Sequence, residues 1–525
     1  TFLNKKKLMI FGMIGSFLWI VFGIPQDEQS IMEISRLQAV QIAQNSLSDF
    51  GFSPDSTWKM ETRLNSGEQQ MDRFIWQEYG KEALSLLRGK YLYVPSWEVR
   101  YRKYFGDVAE RAEEYRCYVD NKGKKTSIWY QIPEGREGIS LLEEDARSLA
   151  LNYVKNKYGE DVSLLNELEA NSFKKPNRLD WRFIFEDTTT YKLETGQLRL
   201  IVEISGGEVK GSYRNVFVPE DWKRLEEEKE SRWFPVELIL GLIMTFSLAY
   251  VIVFGTIRWS KNNFDTSFFL KALILLGLLG IVQLWSDLPL RFFNFKTEQP
   301  YTDQVYQTIL MGIVGALIAS LFKAIMISAS KNMIVPSSRL KEKISLEDGI
   351  LIGLFLSGGY SLVSNLIPSL GPQLGNYSPL NARIELWDQI YTTLNSYAND
   401  VLGALSTVIC INAISKNWKS RTPLGLSYII LLSFSIVSQN PGAFESVFVL
   451  IGCGLIVSVV LFVLYKELIR FNPELIPIIF STTSIISTMI KGYQNIYTGQ
   501  FLGAIASSIL IATLAFFWYK LLRNQ

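Results

Sequence analysis

Four polar side chains lie in stretches that are otherwise apolar, and they have the most potential for chemistry. Asp400 is the clearest because it lies deep in a long apolar run; Asn395 and Asn399 share that run, and Asn365 lies in the preceding one. A charge in a membrane-like environment is costly, so such residues mark functional sites or satisfied networks. The set predicts either a polar seam that binds a substrate, an ion or a lipid headgroup, or a structural hydrogen-bond network.

Residue counts argue against most other chemistry. The chain has no histidine, and its three cysteines, Cys117, Cys410 and Cys453, form no CxxC motif. Histidine-dependent catalytic triads and cysteine zinc sites are therefore not expected. The formal net charge of +2 gives no steering toward nucleic acid. We predict no catalytic residue, no metal ligand, no cofactor and no nucleic-acid partner, and we do not expect an enzyme.

The elements that position the polar residues are long apolar runs in residues 234–525. Each is close to the roughly 20 residues with which a helix crosses a bilayer. The pattern predicts a helical membrane domain of about nine spans, of which the fifth is the most polar. Their expected limits are 236–257, 268–285, 305–327, 349–367, 388–414, 423–438, 446–465, 474–490 and 501–519.

The N-terminal segment 1–24 adds a further apolar run. Lys5, Lys6 and Lys7 precede its apolar core, as in a signal sequence. No cleavage motif of small residues follows at Phe22–Pro25, so the segment is predicted to be an uncleaved anchor. A cleaved signal peptide is the alternative.

The distribution of basic residues orients the predicted spans. With ten crossings, only Arg291, Lys296, Arg383 and Lys491 fall in the short loops placed outside, whereas the other basic loop residues of the membrane half fall inside. Cytoplasmic loops carry the excess of Lys and Arg. The sequence thus predicts an inner-membrane protein with cytoplasmic termini, an extracytoplasmic region at 25–233 and surrounding membrane lipids.

Residues 25–233 carry a weak internal duplication. The first module, 25–134, has a helical pattern near Ala39 and extended runs at 91–94, 97–101, 116–119 and 127–130. The second module, 135–233, has a helical pattern near Ala146 and extended runs at 181–185, 199–203 and 216–218. Alternating apolar positions with glycine turns are typical of antiparallel hairpins. Each module is predicted to be α+β, and an unrelated α+β domain is the alternative to a true repeat.

The order of an alanine-rich helix followed by a glycine hairpin resembles the PepSY-like modules of bacterial envelope proteins. This resemblance covers about 160 residues and implies a binding or inhibitory module.

Small residues four positions apart predict close helix packing. Three such stripes occur, and intramolecular contacts are expected in preference to a dimer face. The stripes are Gly312, Ala316 and Ser320; Gly349, Gly353 and Ser357; and Gly499, Gly503 and Ser507.

The chain resembles the long bacterial proteins grouped with CAAX-processing and bacteriocin-processing (CPBP) intramembrane proteases. The resemblance lies in the order of an anchor, an outward α+β block and a polytopic half, and in short sequence stretches such as Asp348–Gly353. That family's site uses paired glutamates with a following arginine, plus histidines on later helices. Here the pairs Glu113–Glu114, Glu143–Glu144 and Glu226–Glu227 all lie outside the membrane half, and histidine is absent. The resemblance therefore implies a protease-like scaffold without protease chemistry.

Three functions follow from these observations. The preferred hypothesis is a non-enzymatic scaffold or accessory subunit of a bacterial envelope membrane complex, which binds protein partners. The alternative is a transporter or lipid-handling protein that uses the polar seam around Asp400. An intramembrane hydrolase is the third, and it lacks a visible base.

Overall fold

A computed structural model gives the fold and describes residues 5–22, 30–66, 69–159, 161–261, 264–333, 345–366, 375–414, 425–430, 433 and 447–523. Residues 23–25, which bear on whether the predicted anchor is cleaved, and most of the predicted span 423–438 lie outside these residues.

The first module is a helix on a four-stranded antiparallel sheet. Helix α2 (Arg36–Asp49) follows the N-terminal helix α1 (Lys5–Phe22) and begins with a capping box between Ser35 and Gln38. The buried side chains of Ala39, Ala43 and Leu47 pack with Trp97 and Val99 in the core. The strands pair in chain order: β1 (Trp58–Asn65), β2 (Ser96–Lys103), β3 (Glu114–Asp120) and β4 (Thr126–Gln131).

Two parts of this module differ from the sequence prediction. Helix α3 (Gln69–Leu87) is inserted between β1 and β2, with a break at Gly80, where φ is 81°. The run at 91–94, predicted to be extended, forms a turn and an isolated bridge instead. Tyr91 is buried there, and its hydroxyl donates to Asp187 of the second module at 2.8 Å. The apolar pattern at 91–94 thus reflects packing between modules.

The second module repeats the helix-and-sheet order. Helix α4 (Glu143–Tyr158) buries Ala146, Ala150 and Val154 against Phe183 and Val202. The strands are again antiparallel and in chain order: β5 (Leu165–Lys175), β6 (Arg178–Asp187), β7 (Gln197–Ser205) and β8 (Glu208–Phe217). Gly206 and Gly207 make the hairpin turn with φ of 60° and 88°, which glycine adopts without steric cost. The described residues therefore contain an α+β region with two sheets.

Helix α3 joins the two modules. Its Phe74, Ile75 and Leu87 are buried in one cluster with Leu198 and Val216 of the second sheet. The charged run at 221–232 continues this rigid arrangement, because it belongs to α5 (Glu220–Ser260), a helix of 41 residues. The second module therefore leads directly into the membrane half.

Seven further helices are described after α5. They are α6 (Thr266–Phe293), α7 (Tyr301–Met333), α8 (Leu346–Leu366), α9 (Glu385–Ile414), α10 (Val447–Leu464), α11 (Ile476–Gln494) and α12 (Gln500–Arg523).

The first module rests on one end of this bundle, which we call the module side and define by its contacts with Phe293, Asn381 and Ile496. Helix α6 ends at the module side, α9 begins there, and the turn between α11 and α12 lies there. Lys5 pairs with Glu347 at 3.3 Å, so α1 and α8 begin together.

Five helices of the described residues are long and apolar enough to cross a membrane, so the chain has the composition of a multi-pass membrane protein. They cover Gly241–Ser260, Thr266–Phe293, Tyr301–Ser330, Pro473–Gln494 and Gln500–Arg523. This number is below the nine spans predicted for the second half. Helix α9 is not among the five, and its sequence contains Asp388, Gln389, Asn395 and Asp400.

Candidate functional site

The predicted polar seam is only partly assembled. Asn395 of α9 accepts a hydrogen bond from the ammonium group of Lys323 on α7. Asn399 and Asp400 lie on the exposed side of α9 and are not brought to that pair. Asn365 lies at the end of α8, and its side chain is outside the described part of the chain. Among the described side chains of the seam, the structure shows one contact between two helices.

The small-residue stripes on α7 and α8 lie at helix contacts within the chain. A Cβ atom added to Gly312 would lie 2.3 Å from Leu284 of α6, and Ala316 lies against Gly280 of the same helix. Ser320, on the same face of α7, is buried. A Cβ atom added to Gly353 would lie 2.6 Å from Thr482 of α11. Gly349 faces Ile478 of that helix, and Ser357 is also buried.

The third stripe is shorter than predicted. Gly499 precedes α12 with a φ of 88° and belongs to the turn before the helix, not to a helix face. Gly503 packs against the Gln389 side chain of α9. Ser507 is fully buried and donates to the Gly503 carbonyl at 2.7 Å.

A buried polar site joins the first sheet to the end of α6. Arg102 of β2 donates to the main-chain oxygens of Phe293, at 3.0 Å, and Phe295. Arg100 donates to the same Phe293 oxygen at 2.6 Å. Buried Glu61 of β1 accepts from Arg102 Nε at 2.9 Å and so holds the guanidinium in place. The last carbonyls of a helix have no partner within the helix, and these arginines satisfy that of Phe293.

Phe293 also contributes its ring to this contact. The ring is buried, and the guanidinium groups of Arg63 and Arg100 lie 4.3 Å and 4.2 Å from its centre. A cation over an aromatic face is attracted by the negative charge density of the ring. The charged face of the first sheet, formed by Glu61, Arg63, Glu98, Arg100 and Arg102, is thus a binding face for a helix end.

Two other segments fix the first module to the bundle. Met32 donates its backbone N–H to the Ile496 carbonyl at 2.7 Å, in the turn before α12. Arg36 donates to the Leu380 carbonyl at 2.7 Å, and the Leu64 N–H donates to Asn381 at 2.7 Å, both just before α9. The first module therefore holds three separate parts of the membrane half together.

The second sheet has a similar charged face, which we call the open face: Glu169, Arg182, Glu186, Arg199, Glu203 and Tyr213. Helix α4 packs on the opposite side of this sheet. The open-face side chains contact one another or nearby strand residues, as in the bond from Arg182 to the Tyr213 hydroxyl at 3.1 Å and the ion pair of Glu203 with Lys210 at 3.3 Å. Arg199 lies over the Phe217 ring at 3.7 Å.

A lysine lies between the two modules. Lys157 donates to Ser127 Oγ of β4 and Ser212 Oγ of β8, each at 3.1 Å. Burial lowers the pKa of Lys157 to about 8, and the positive charge of Arg214 acts in the same direction. A serine hydroxyl beside a lysine of lowered pKa is the geometry of a Ser–Lys dyad. Ser212 is only 7% exposed, so this arrangement keeps its hydroxyl away from a substrate.

The described residues contain no group of three or more Cys, Asp or Glu side chains suited to a metal ion. The chain matches no protein-family model, no curated protein and no solved structure.

Proposed function

We propose that this chain is a non-enzymatic, multi-pass scaffold or accessory subunit of a bacterial envelope membrane complex. One observation carries the proposal: the two sheets present similar charged faces, and among the described residues the contacts between these faces and the membrane half are made by the first face. The open face of the second sheet is then the surface for a partner protein. A protease-like scaffold without protease chemistry agrees with this role.

The first interface indicates the chemistry of the partner. Arg100 and Arg102, held by Glu61, bind the carbonyl end of α6 and the Phe293 ring. On the open face, Arg182 and Arg199 lie among Glu169 and Glu186 in the same mixed pattern. We expect the open face to bind the corresponding end of a membrane helix in a partner protein, with an aromatic side chain beside the helix terminus.

The proposal includes a specific arrangement of the chain across the membrane. It has cytoplasmic termini, an N-terminal anchor, several further spans and an extracytoplasmic region at 25–233. The helix directions support it, because α6 and α11 end at the module side and α9 and α12 begin there. Basic residues support it as well, since Arg258, Lys520 and Arg523 lie in the last turns of α5 and α12, at the opposite end.

The test is native purification of the full chain in mild detergent, with mass spectrometry of what remains bound. The intact protein is expected to carry a partner at fixed stoichiometry. The double variant Arg182→Glu with Arg199→Glu reverses the charge of the open face and should reduce recovery of that partner at least about tenfold, since a tenfold loss is only 1.4 kcal/mol.

The matched control is Glu144→Lys with Lys155→Glu, two charge reversals at exposed positions on α4. This variant should keep the partner at the original stoichiometry. Recovery of the intact protein alone, or equal partner recovery with both double variants, would contradict the proposal.

One contact favours a second candidate, a transporter or lipid-handling protein. The bond between Lys323 and Asn395 places an ammonium group between two helices of the bundle. Asp400 lies five positions further along α9, on its exposed side, and the transport hypothesis requires it to take part in the path. Replacement of Asp400 by Asn should then abolish transport in vesicles, and unchanged transport with this variant would remove the candidate.

A further inference from the structure

The loop that follows β2 lies beside the connection between two helices of membrane-spanning length. These helices, α6 and α7, are joined by residues 294–300. Arg111 donates from Nη1 to the main-chain oxygen of Thr297 in this connection at 3.3 Å. The Tyr104 ring packs edge-on against the ring of Tyr301, the first residue of α7, with the ring centroids 5.1 Å apart. The loop at 105–110 is therefore held against the module side of the bundle at both of its ends.

This loop exposes two large apolar side chains. Phe105 is 55% exposed and Val108 is 54% exposed. Single exposed apolar side chains are ordinary on a protein surface, but two in one short loop form a patch that favours contact with another apolar surface. Asp107 lies between them, and its Oδ1 accepts the Ala109 N–H at 3.4 Å. An ionised carboxylate at this position limits the loop to a shallow, hydrated layer.

Hydrogen bonds within the loop fix its shape. Gly106 has a φ of 91°, which glycine adopts without steric cost. Its carbonyl accepts from Arg111 Nε at 3.0 Å and from Nη2 at 2.9 Å. The same guanidinium group thus closes the loop and ties it to Thr297. The two apolar side chains are therefore presented at a defined position beside α6 and α7.

Aromatic side chains cluster at the same level of the bundle. The rings of Phe292 and Phe295, at the end of α6, lie 6.2 Å and 5.6 Å from that of Tyr301. Tyr306, further along α7, is exposed. Aromatic residues are enriched where membrane helices meet the headgroup region. The level at which the loop lies thus has the composition of a membrane–water interface.

We propose that Phe105 and Val108 insert into the headgroup region of the lipid bilayer beside α6 and α7. The partner is a lipid surface because the loop contacts the connection between two membrane helices, where the bilayer surface must also lie. Apolar side chains gain free energy by leaving water at that surface. The first module then contacts lipid as well as the bundle. This inference needs the membrane location of the bundle but no partner on the open face.

The test places a fluorophore on the loop in the full chain, reconstituted into phosphatidylcholine bilayers. The background is Cys410→Ser with Cys453→Ser, and the buried Cys117 is retained. Phe105→Cys provides one labelling position. Val108→Cys provides a second one, which keeps the Phe105 side chain. When lipids with a nitroxide quencher near the top of the acyl chain are included, the label at either position should lose most of its emission.

Phe50→Cys is the matched control. Phe50 is an exposed phenylalanine that directly follows α2. Helix α2 packs on Trp97 and Val99 of β2, whereas Arg100 and Arg102 of the same strand face α6. Phe50 therefore belongs to the side of the first sheet that is turned away from the bundle. A label there should keep most of its emission with the same lipids.

Quenching on the loop that is no greater than quenching at the Phe50 position would overturn the proposal. Blue-shifted emission on the loop without quenching by lipid would assign the loop to a contact with protein and would also overturn it. Partner recovery by the open-face variants does not enter this measurement, so failure of the lipid contact is distinguishable from failure of the scaffold role.

Discussion

The guanidinium of Arg102 lies 3.0 Å from the main-chain oxygen of Phe293, and this contact joins a strand of the first sheet to the end of a membrane helix. Arginine suits this position because its planar donors reach a carboxylate and carbonyls at the same time. Glu61 occupies one side of the group, and the helix end occupies the other. Arg102 is therefore one of the side chains that orient the first module.

Replacing Arg102 with Ala should weaken the contact of the first module with α6. The change leaves Glu61 buried with only Arg100, at 3.6 Å, as a cationic neighbour. Loss of one partner of a buried ion pair costs about 3–5 kcal/mol. Hydrogen exchange at residues 293–297 should rise strongly in this variant.

Arg147→Ala is the control for that measurement. Its guanidinium pairs with Glu143 and Glu167 at the surface, where such pairs contribute at most about 1 kcal/mol. Exchange at 293–297 should not change in this variant. Equal protection in Arg102→Ala would mean that the other two contact segments suffice to hold the module.

Two adjacent glycines on α8 should respond in opposite ways to alanine. A Cβ atom at Gly358 would lie 2.0 Å from the Gly15 oxygen of α1, whereas a Cβ atom at Gly359 meets open space. Gly358→Ala should destabilise the bundle by about 1–3 kcal/mol through overpacking. Gly359→Ala should be neutral or stabilising by up to about 1 kcal/mol, because alanine is the better helix former. Unfolding of both variants in detergent, followed by tryptophan fluorescence, makes the comparison.

Lys157 should give the two-sheet region a stability that increases with pH. The ordinary pKa of lysine is 10.5, and burial lowers that of Lys157 to about 8 in the folded protein. Between these values the unfolded chain binds the additional proton, so unfolding becomes harder as the pH rises. The full effect is about 3 kcal/mol at most. Lys157→Met should remove the slope between about pH 8 and 10.

The matched control for the pH series is Lys155→Met, two positions away on the exposed side of α4. This variant should keep the slope of the intact protein. A slope that persists in Lys157→Met would assign it to another group.

Cys117 should remain unreactive until the first module unfolds. Its side chain is fully buried in the first core, and burial raises the pKa of the thiol to about 12. The thiolate is the reactive form, so both access and ionisation protect the residue. In a variant with Cys410→Ser and Cys453→Ser, alkylation should follow the unfolding of the first module with denaturant. Rapid alkylation under native conditions would contradict the burial.

Local patterns predicted the elements whose partners are near in sequence. The helical stretches near Ala39 and Ala146 and the hairpins around Gly123 and Gly206 follow from spacing and turn residues, and the structure has all of them. The prediction of an extended run at Tyr91 is wrong because this side chain packs against the second module. Its hydroxyl donates to Asp187, which lies 96 positions later in the chain. No local window contains that information.

The functional residues also differ in whether the local sequence makes them conspicuous. Asp400 is conspicuous in sequence because it interrupts an apolar run, yet the described residues place it on an exposed side of α9. Arg100 and Arg102 show only the ordinary alternation of a strand, and their partner Phe293 lies 193 and 191 positions away. Gln283 and Asp287 carry a signal in the sequence, because they are a polar pair four residues apart in an apolar helix.

Helix α5 has a mechanical consequence. It begins three residues after β8 and leads into the membrane half with Pro235 inside the helix, and Glu220–Arg232 extends about 20 Å at 1.5 Å per residue. The second sheet is therefore joined to the membrane half by a helical segment of defined length. A force applied to the open face would be transmitted along α5 and would tilt the part of this helix that lies in the membrane.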